Sequence, residues 1–484
     1  MQSCPSTDAP IQRLPTENLV DIFLLHADTF AYKSDARPHF FRTEVERLAN
    51  LRLLTLSQVC SRWHTIAIDT PIFWTKMDFN GVLWGTPSNL QTTVALLVSA
   101  LKRGRDLPLI LEITDDDKLP PHPRIFHLLA SQSRRWASVT IFCAIEGIYF
   151  SGLEGKLPML QKLQLDVPTV SSPNPLKCLK GTPVLRGLYF SSPLLENIST
   201  INLQHLFGLG CQAVEPTHIA RSISLLSRLT TGTAFSLSFT CNKWSINPNQ
   251  IVDLQIAPQT SAISVFSCAM FGEYYPQHSL EMLGQILASL TMPALREIRF
   301  WSARYPRGLL EWSHAQFLAL CARSGFQHSL KILKLSHVGM TEAALVEVLS
   351  VLISLEQLQI ADKRSVDDEG ADVVLITDTL LCAITCAASN TGSFGAAPLV
   401  PRLSVLRCAS RLQFTHNLLL DFVSSRLEHA PNCAPFRLQI RPLTEADGHF
   451  DPEVHARLQA MWSRKRRFVY YFGSAKYPVR CGIN

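Results

Sequence analysis

Residues 158–165, PMLQKLQL, return twenty-five positions later as residues 183–190, PVLRGLYF. The same event recurs downstream, where residues 329–335, SLKILKL, return 25 positions later as residues 354–360, SLEQLQI. Single copies stand at 293–300, PALREIRF, and at 401–407, PRLSVLR. The common skeleton is L-x-x-L-x-L. Its last two apolar positions alternate, the spacing of a strand with one buried face. The first leucine marks the turn into that strand. A unit this short cannot bury its own apolar side, but stacked neighbours cover one another. The period therefore predicts strand–helix units with Leu160, Leu163, Leu165, Leu185, Leu188, Leu330, Leu333, Leu335, Leu355 and Leu358 inside. Residues 341–352 fill one gap between strands with a helical pattern, Ala344, Leu345, Val348, Leu349 and Leu352 facing inward.

This skeleton and period resemble the leucine-rich repeat. The match is partial, since no asparagine recurs at the usual turn position and the spacing from 200 to 290 and from 361 to 400 is irregular. The expected class is α/β, an irregular leucine-rich-repeat-like solenoid. An ordinary α/β domain whose strands follow Pro-x-Leu is the alternative. Two breaks are expected, at the acidic stretch 365–373 and the small-residue stretch 389–398.

Upstream lies a different pattern. In residues 53–77, LLTLSQVCSRWHTIAIDTPIFWTKM, the apolar residues Leu53, Leu56, Val59, Cys60, Trp63, Ile66 and Ala67 recur three or four apart, one face of a helix. The pattern stops at Asp69-Thr70-Pro71, because proline lacks the amide donor. Phe73 and Trp74 follow and need an apolar seat. Residues 14–24, LPTENLVDIFL, form a second helix: Pro15 suits its first turn and Glu17 its positive dipole end. A buried helical hairpin of any domain would also fit this segment.

Leu14-Pro15, then Glu17, Leu19, Ile22 and Phe23, then Val59-Cys60-x-x-Trp63, then Thr70-Pro71-x-x-Trp74, resembles an F-box, more narrowly the F-box-like proteins of mushroom-forming fungi. The helix at 90–103 and the strand LPLILEI at 107–113 resemble the segment that follows the F-box there. The resemblance implies an N-terminal helical module at 11–76, after a tail at 1–10 and before a linker at 77–89. A substrate-binding body would fill 90–484. It further implies an adaptor-binding surface on Leu14, Pro15, Leu19, Ile22, Phe23, Val59 and Cys60, with Trp63, Ile66, Pro71 and Trp74 as structural anchors. The implied partners are a Skp-family adaptor, a cullin–RING ubiquitin ligase through it, and a protein substrate. A scaffold that keeps the F-box shape without engaging a ligase is the alternative. One departure is the long connection at 26–52.

Composition agrees with a buried, non-membrane protein: of 484 residues 47% are hydrophobic and 17% charged, with no run of 18 uncharged apolar residues. The first residues lack the basic and apolar regions of a secretory leader. Thirteen cysteines without a C-x-x-C pair then suggest free thiols in the cytoplasm or nucleus. That makes the sequon at Asn197 irrelevant. Cys382 and Cys386 share helical spacing, but no histidine lies near, so no metal is expected. Asp115, Asp116 and Asp117 read as a solvated turn.

No P-loop, G-x-S-x-G or H-E-x-x-H motif occurs. Residues 208–213, GLGCQA, match the loose dinucleotide pattern but lack the acidic residue about 20 positions on. Their glycines are read as a turn between repeats. We expect neither catalysis nor a cofactor. Residues 401–484 carry a net charge of +7 against +6 for the whole chain. The run Arg464-Lys465-Arg466-Arg467 is read as a helix end followed by a closing strand. No nucleic-acid partner is expected from it.

Overall fold

A computed structural model describes residues 10–31, 55–80, 87–114, 122–143, 150, 152–166, 174–240, 254–271, 276–302, 309–362, 374–385, 399–429, 435–442, 451–464 and 468–472. The expected features at 32–52, 115–117, 365–373 and 389–398, and at Cys386 and Lys465–Arg467, lie outside those residues. The fold is mixed α/β, a helical N-terminal region followed by a long run of parallel strands. The chain divides into two compact units, Met1–His205 and Leu206–Asn484.

The first unit opens with α1 (Thr16–Ala31) and α2 (Ser61–Asp69). A 3-10 turn over Pro71–Trp74 delivers the chain into β1 (Lys76–Asn80). Met77 and Phe79 alternate inward there, so the apolar ladder begins inside the stretch read as a linker. Then come α3 (Pro87–Arg103), β2 (Leu109–Thr114), α4 (Pro123–Ser131), β3 (Trp136–Phe142), β4 (Lys162–Asp166) and β5 (Gly187–Ser191). The strands pair in chain order, all parallel. Leu163 lies opposite Val139 on one side and Leu188 on the other, so the leucines of successive units stack into one apolar row.

The second unit repeats the scheme. Its ladder runs β6 (Gly208–Val214), β7 (Ala234–Thr240), β8 (Val265–Phe271), β9 (Glu297–Ser302), β10 (Ile332–Ser336), β11 (Gln357–Ala361), β12 (Val405–Ser410), β13 (Phe436–Pro442) and β14 (Phe468–Phe472). Every pairing between neighbours is parallel. Helices α5 (Pro216–Ser224), α6 (Pro276–Ser289), α7 (His314–Ser324), α8 (Glu342–Val351), α9 (Asp378–Ile384), α10 (His416–His429) and α11 (Pro452–Arg464) stand between strands. Thr341 caps α8, its hydroxyl accepting from the Ala344 amide at 3.2 Å. All ten leucines named from the repeat are buried.

A residue at the start of each of these strands also has a structural task. The Lys331 amide donates to the Arg296 carbonyl, Glu356 to Lys331, Ser404 to Glu356 and Arg437 to Ser404, each at 2.8 Å. In the first unit Gln161 donates to Ala137 and Arg186 to Gln161. Each turn is thus hydrogen-bonded to the turn before it, which satisfies backbone groups that would otherwise be buried unpaired.

Arginines close helix ends across neighbouring units. Arg135 donates to the carbonyls of Leu101 and Leu107, at 3.3 and 2.9 Å. Arg323 donates to Leu287 and Leu290, at 2.7 and 2.9 Å. Arg426 donates to Ile384, Leu399, Val400 and Pro401. Leu101, Leu287 and Ile384 lie in the last turns of α3, α6 and α9, where the final carbonyls have no partner within the helix; Leu107 and Leu290 lie just beyond α3 and α6, and Leu399–Pro401 precede β12. Gly104 is small for this reason: a Cβ there would stand 3.0 Å from Arg135 Nη2 and 3.0 Å from the Trp74 carbonyl.

Candidate functional site

Proline at residue 15 and Glu17 in the first turn start α1, and the Leu19 amide donates to the Pro15 carbonyl at 3.2 Å. From there Leu19 and Phe23, one turn apart, face inward and are fully buried. Phe23 meets the Trp63 ring edge-on at 4.9 Å and the Phe73 ring at 6.0 Å. Both are expected on the adaptor-binding surface; here both are buried, and the Phe23 ring packs against α2 and the turn after it. At 100° per residue Pro15, Asn18, Ile22 and Leu25 share the neighbouring stripe of α1. All four are exposed, Ile22 at 40%.

The apolar face expected over 53–67 is broken at Cys60. Residues 55–57 make one short helical turn, and α2 starts afresh at Ser61. Cys60 is extended, and its sulfur accepts from the Trp63 amide at 3.5 Å as the N-cap. Val59 therefore leaves the α2 face and is 59% exposed. Trp63 is half-buried, Ile66 and Ala67 are buried, and α2 ends at Asp69. Pro71, half-buried, opens the 3-10 turn that buries Phe73 and Trp74. The Trp74 indole donates to the Ala67 carbonyl at 3.1 Å, and the Arg103 guanidinium lies 4.6 Å above its ring.

Two residues escaped the sequence reading. Arg62 is half-buried and donates from Nη2 to the Leu14 carbonyl at 2.6 Å, fixing the start of α1 on α2. The partners lie 48 positions apart, so no local pattern signals the bond. Ile72 is 47% exposed beside buried Phe73 and Trp74, which the four-residue turn dictates once those two rings point inward. Pro15, Ile22, Val59 and Ile72 thus give the helical region an exposed apolar set, while Leu14 and Cys60 are half-buried.

Residues 11–80 match the F-box-like family. The F-box-like domain therefore takes in α1, α2, the Pro71–Trp74 turn and β1, four residues beyond the boundary read at 76. No curated protein matches the sequence. Among solved structures, a chain of the Rad7 and Elc1 complex in yeast is similar at 16% identity. The match covers 75% of this chain and 94% of that one, with a TM-score of 0.32, too loose to transfer a partner.

Gly208 and Gly210 lie within strand β6, opposite Ala234 and Ser236, and not in a turn. Ala213, at φ 48°, makes a bulge there, its amide donating to Ser238 Oγ at 3.1 Å. The loose glycine pattern thus lies within a strand and not in the strand-to-helix turn that a dinucleotide fingerprint requires. Burial pushes the thiols of Cys178, Cys211, Cys268, Cys321 and Cys408 up to about 12, far from a nucleophilic thiolate. Cys382 is exposed on α9. Among the described residues no cluster of three or more His, Cys, Asp and Glu side chains is placed to hold a metal, and no helix is long and apolar enough to cross a membrane. Helix α11 runs to Arg464 and strand β14 begins at Phe468.

Proposed function

We propose that this protein is a substrate-receptor subunit of a Skp–cullin–F-box type ubiquitin ligase, of the mushroom-forming-fungus type. Its F-box-like domain would dock on a Skp-family adaptor, and its leucine-rich-repeat-like body would hold a protein substrate. The carrying observation is the F-box-like match at residues 11–80, with Pro15, Ile22, Val59 and Ile72 left exposed on elements locked together by Leu19, Phe23 and Trp74. Exposed apolar side chains on a rigid, internally satisfied frame are what interface energies concentrate on. The subunit performs no bond chemistry itself in this reading. It raises the effective concentration of a substrate lysine near the ubiquitin-charged partner. It would act in the cytoplasm, the nucleus or both, without a cofactor.

The test is capture of the full-length protein by purified Skp-family adaptor. Retention of the wild type, weakened by Ile22→Asp and Val59→Asp while circular dichroism is unchanged, supports the reading. A folded wild type that the adaptor does not retain leaves a scaffold without a ligase.

A further inference from the structure

The outward face of the last three strands carries an open cleft of about 300 Å³ lined by Val405, Arg407, Arg437, Gln439, Val469 and Tyr471. Its residues come from alternate strand positions, while Leu406, Cys408, Leu438, Ile440 and Tyr470 between them point into the core. The register places Val405, Arg437 and Val469 in one cross-strand row and Arg407, Gln439 and Tyr471 in the next. Arg407 and Arg437 are therefore diagonal neighbours on adjacent strands, close enough for their side chains to meet one ligand group.

Charge separates this cleft from the rest of the row. Toward β9 the row continues through Gln359 and Lys334 to Arg299. There a single carboxylate serves both cations: Glu297 Oε1 stands 2.6 Å from Arg299 Nε and 2.7 Å from Lys334 Nζ. Lys331 is likewise matched by Glu356 at 2.8 Å. Among the described residues Arg407 and Arg437 have no carboxylate partner, and both are exposed. Two guanidiniums at diagonal positions on adjacent strands repel each other, and an anion between them removes that repulsion. Each can also grip a carboxylate through two parallel N–H donors. Gln439 and Tyr471 add hydrogen-bonding groups, and Val405 and Val469 add apolar sides.

We infer that this cleft seats an acidic peptide segment of a partner protein, its Asp or Glu carboxylates taken by Arg407 and Arg437. That such a partner is the ligase substrate rests on the receptor reading above. A nucleic-acid strand fits less well, because it needs a run of cations for successive phosphates. Here the basic row meets Glu297 and Glu356 within a few strands.

The test uses the full-length protein and fluorescence anisotropy of a fluorescein-labelled peptide of alternating glutamate and glycine. Its lysine counterpart, its phosphoserine counterpart and a single-stranded oligonucleotide are compared. The glutamate peptide should bind and the lysine peptide should not. Arg407→Gln and Arg437→Gln should each weaken binding about tenfold, the loss of one charge-assisted contact. Arg407→Lys should retain part of it, and added salt should weaken it. The inference is overturned if the folded protein ignores the glutamate peptide, or if the double Arg→Gln variant binds it equally well. Binding of only the phosphoserine peptide, or displacement by the oligonucleotide, overturns it too. Adaptor capture by the same variants keeps the two readings apart. Lost peptide binding with intact capture sinks the acidic cleft alone. Arginine-dependent peptide binding without capture upholds the cleft and sinks the receptor reading alone.

Discussion

The Trp74 indole donates its N–H to the carbonyl of Ala67, seven residues earlier, at 3.1 Å in the buried interior. Trp136 does the same to Leu129, again seven residues earlier and at 3.1 Å. In both places a helix ends, a 3-10 turn follows, and the ring folds back over the helix end to supply a missing donor. The F-box-like domain and the strand–helix unit that follows it share this joint.

Replacing Trp74 with Phe keeps most of the ring but leaves the Ala67 carbonyl buried and unpaired. The expected cost is about 1–3 kcal/mol, with a similar loss for Trp136→Phe. Trp74→Ala should cost more, about 3–5 kcal/mol. Urea unfolding of the three variants checks both the ranking and the parallel between the two sites.

Arg62→Ala should loosen the start of α1 by removing the bond to the Leu14 carbonyl. About 1–2 kcal/mol is expected, the lower side of a charge-assisted bond because Arg62 is half-buried. Hydrogen exchange at the first turn of α1 should quicken while amides in the strand ladder stay protected. Uniform quickening everywhere would contradict the local role.

Arg426 is buried and donates to carbonyls at Leu399 and Val400, at 3.1 and 3.0 Å, and at Ile384. Arg426→Met fills much of the space yet strands these oxygens, so a loss above about 3 kcal/mol is expected. Arg426→Lys has too few donors in too narrow a spread to rescue it. Thermal unfolding of both variants is the measurement.

Asp362 gives a pH dependence of definite sign. Burial pushes its carboxyl up to about 6, although the Leu375 amide donates to Oδ1 at 3.2 Å. Between pH 4 and 6 the folded protein holds this proton while the unfolded chain has released it. Stability from this group therefore falls as pH rises through that window and stays lower above it, by about 3 kcal/mol. Asp362→Asn should stabilise the protein at neutral pH and not at pH 4. Equal stabilisation at both pH values would show that the carboxyl titrates normally.

The repeat was legible because its cause is local. Leucines at fixed spacing must share one side of a strand, and a 25-residue return must stack those sides, so Leu163 against Leu188 and Leu333 against Leu358 follow directly. The helical region was legible in its stops and anchors, Pro71 and Trp74, for the same reason. What did not show was the break at Cys60, since helical spacing of Val59, Cys60 and Trp63 persists across an extended residue. Nor did the division between buried Leu19 and Phe23 and exposed Ile22: all three are apolar, and only the seat offered by Trp63 and Phe73 sorts them. The cleft at Arg407 and Arg437 was hidden because its rows join strands about thirty residues apart, and neither arginine stands in a charge run.

The proposed receptor function requires the F-box-like domain to dock on a Skp-family adaptor through its exposed apolar set. Isothermal titration calorimetry of full-length protein with purified adaptor tests it most directly, with Ile22→Asp and Val59→Asp alongside. Saturable binding by the wild type is expected, weakened at least tenfold in each variant with unchanged melting temperature, as loss of a well-packed interface contact would cause. No heat of binding from folded wild type, confirmed by absence of a shared peak in gel filtration, would contradict the claim, as would variants that bind as tightly as the wild type.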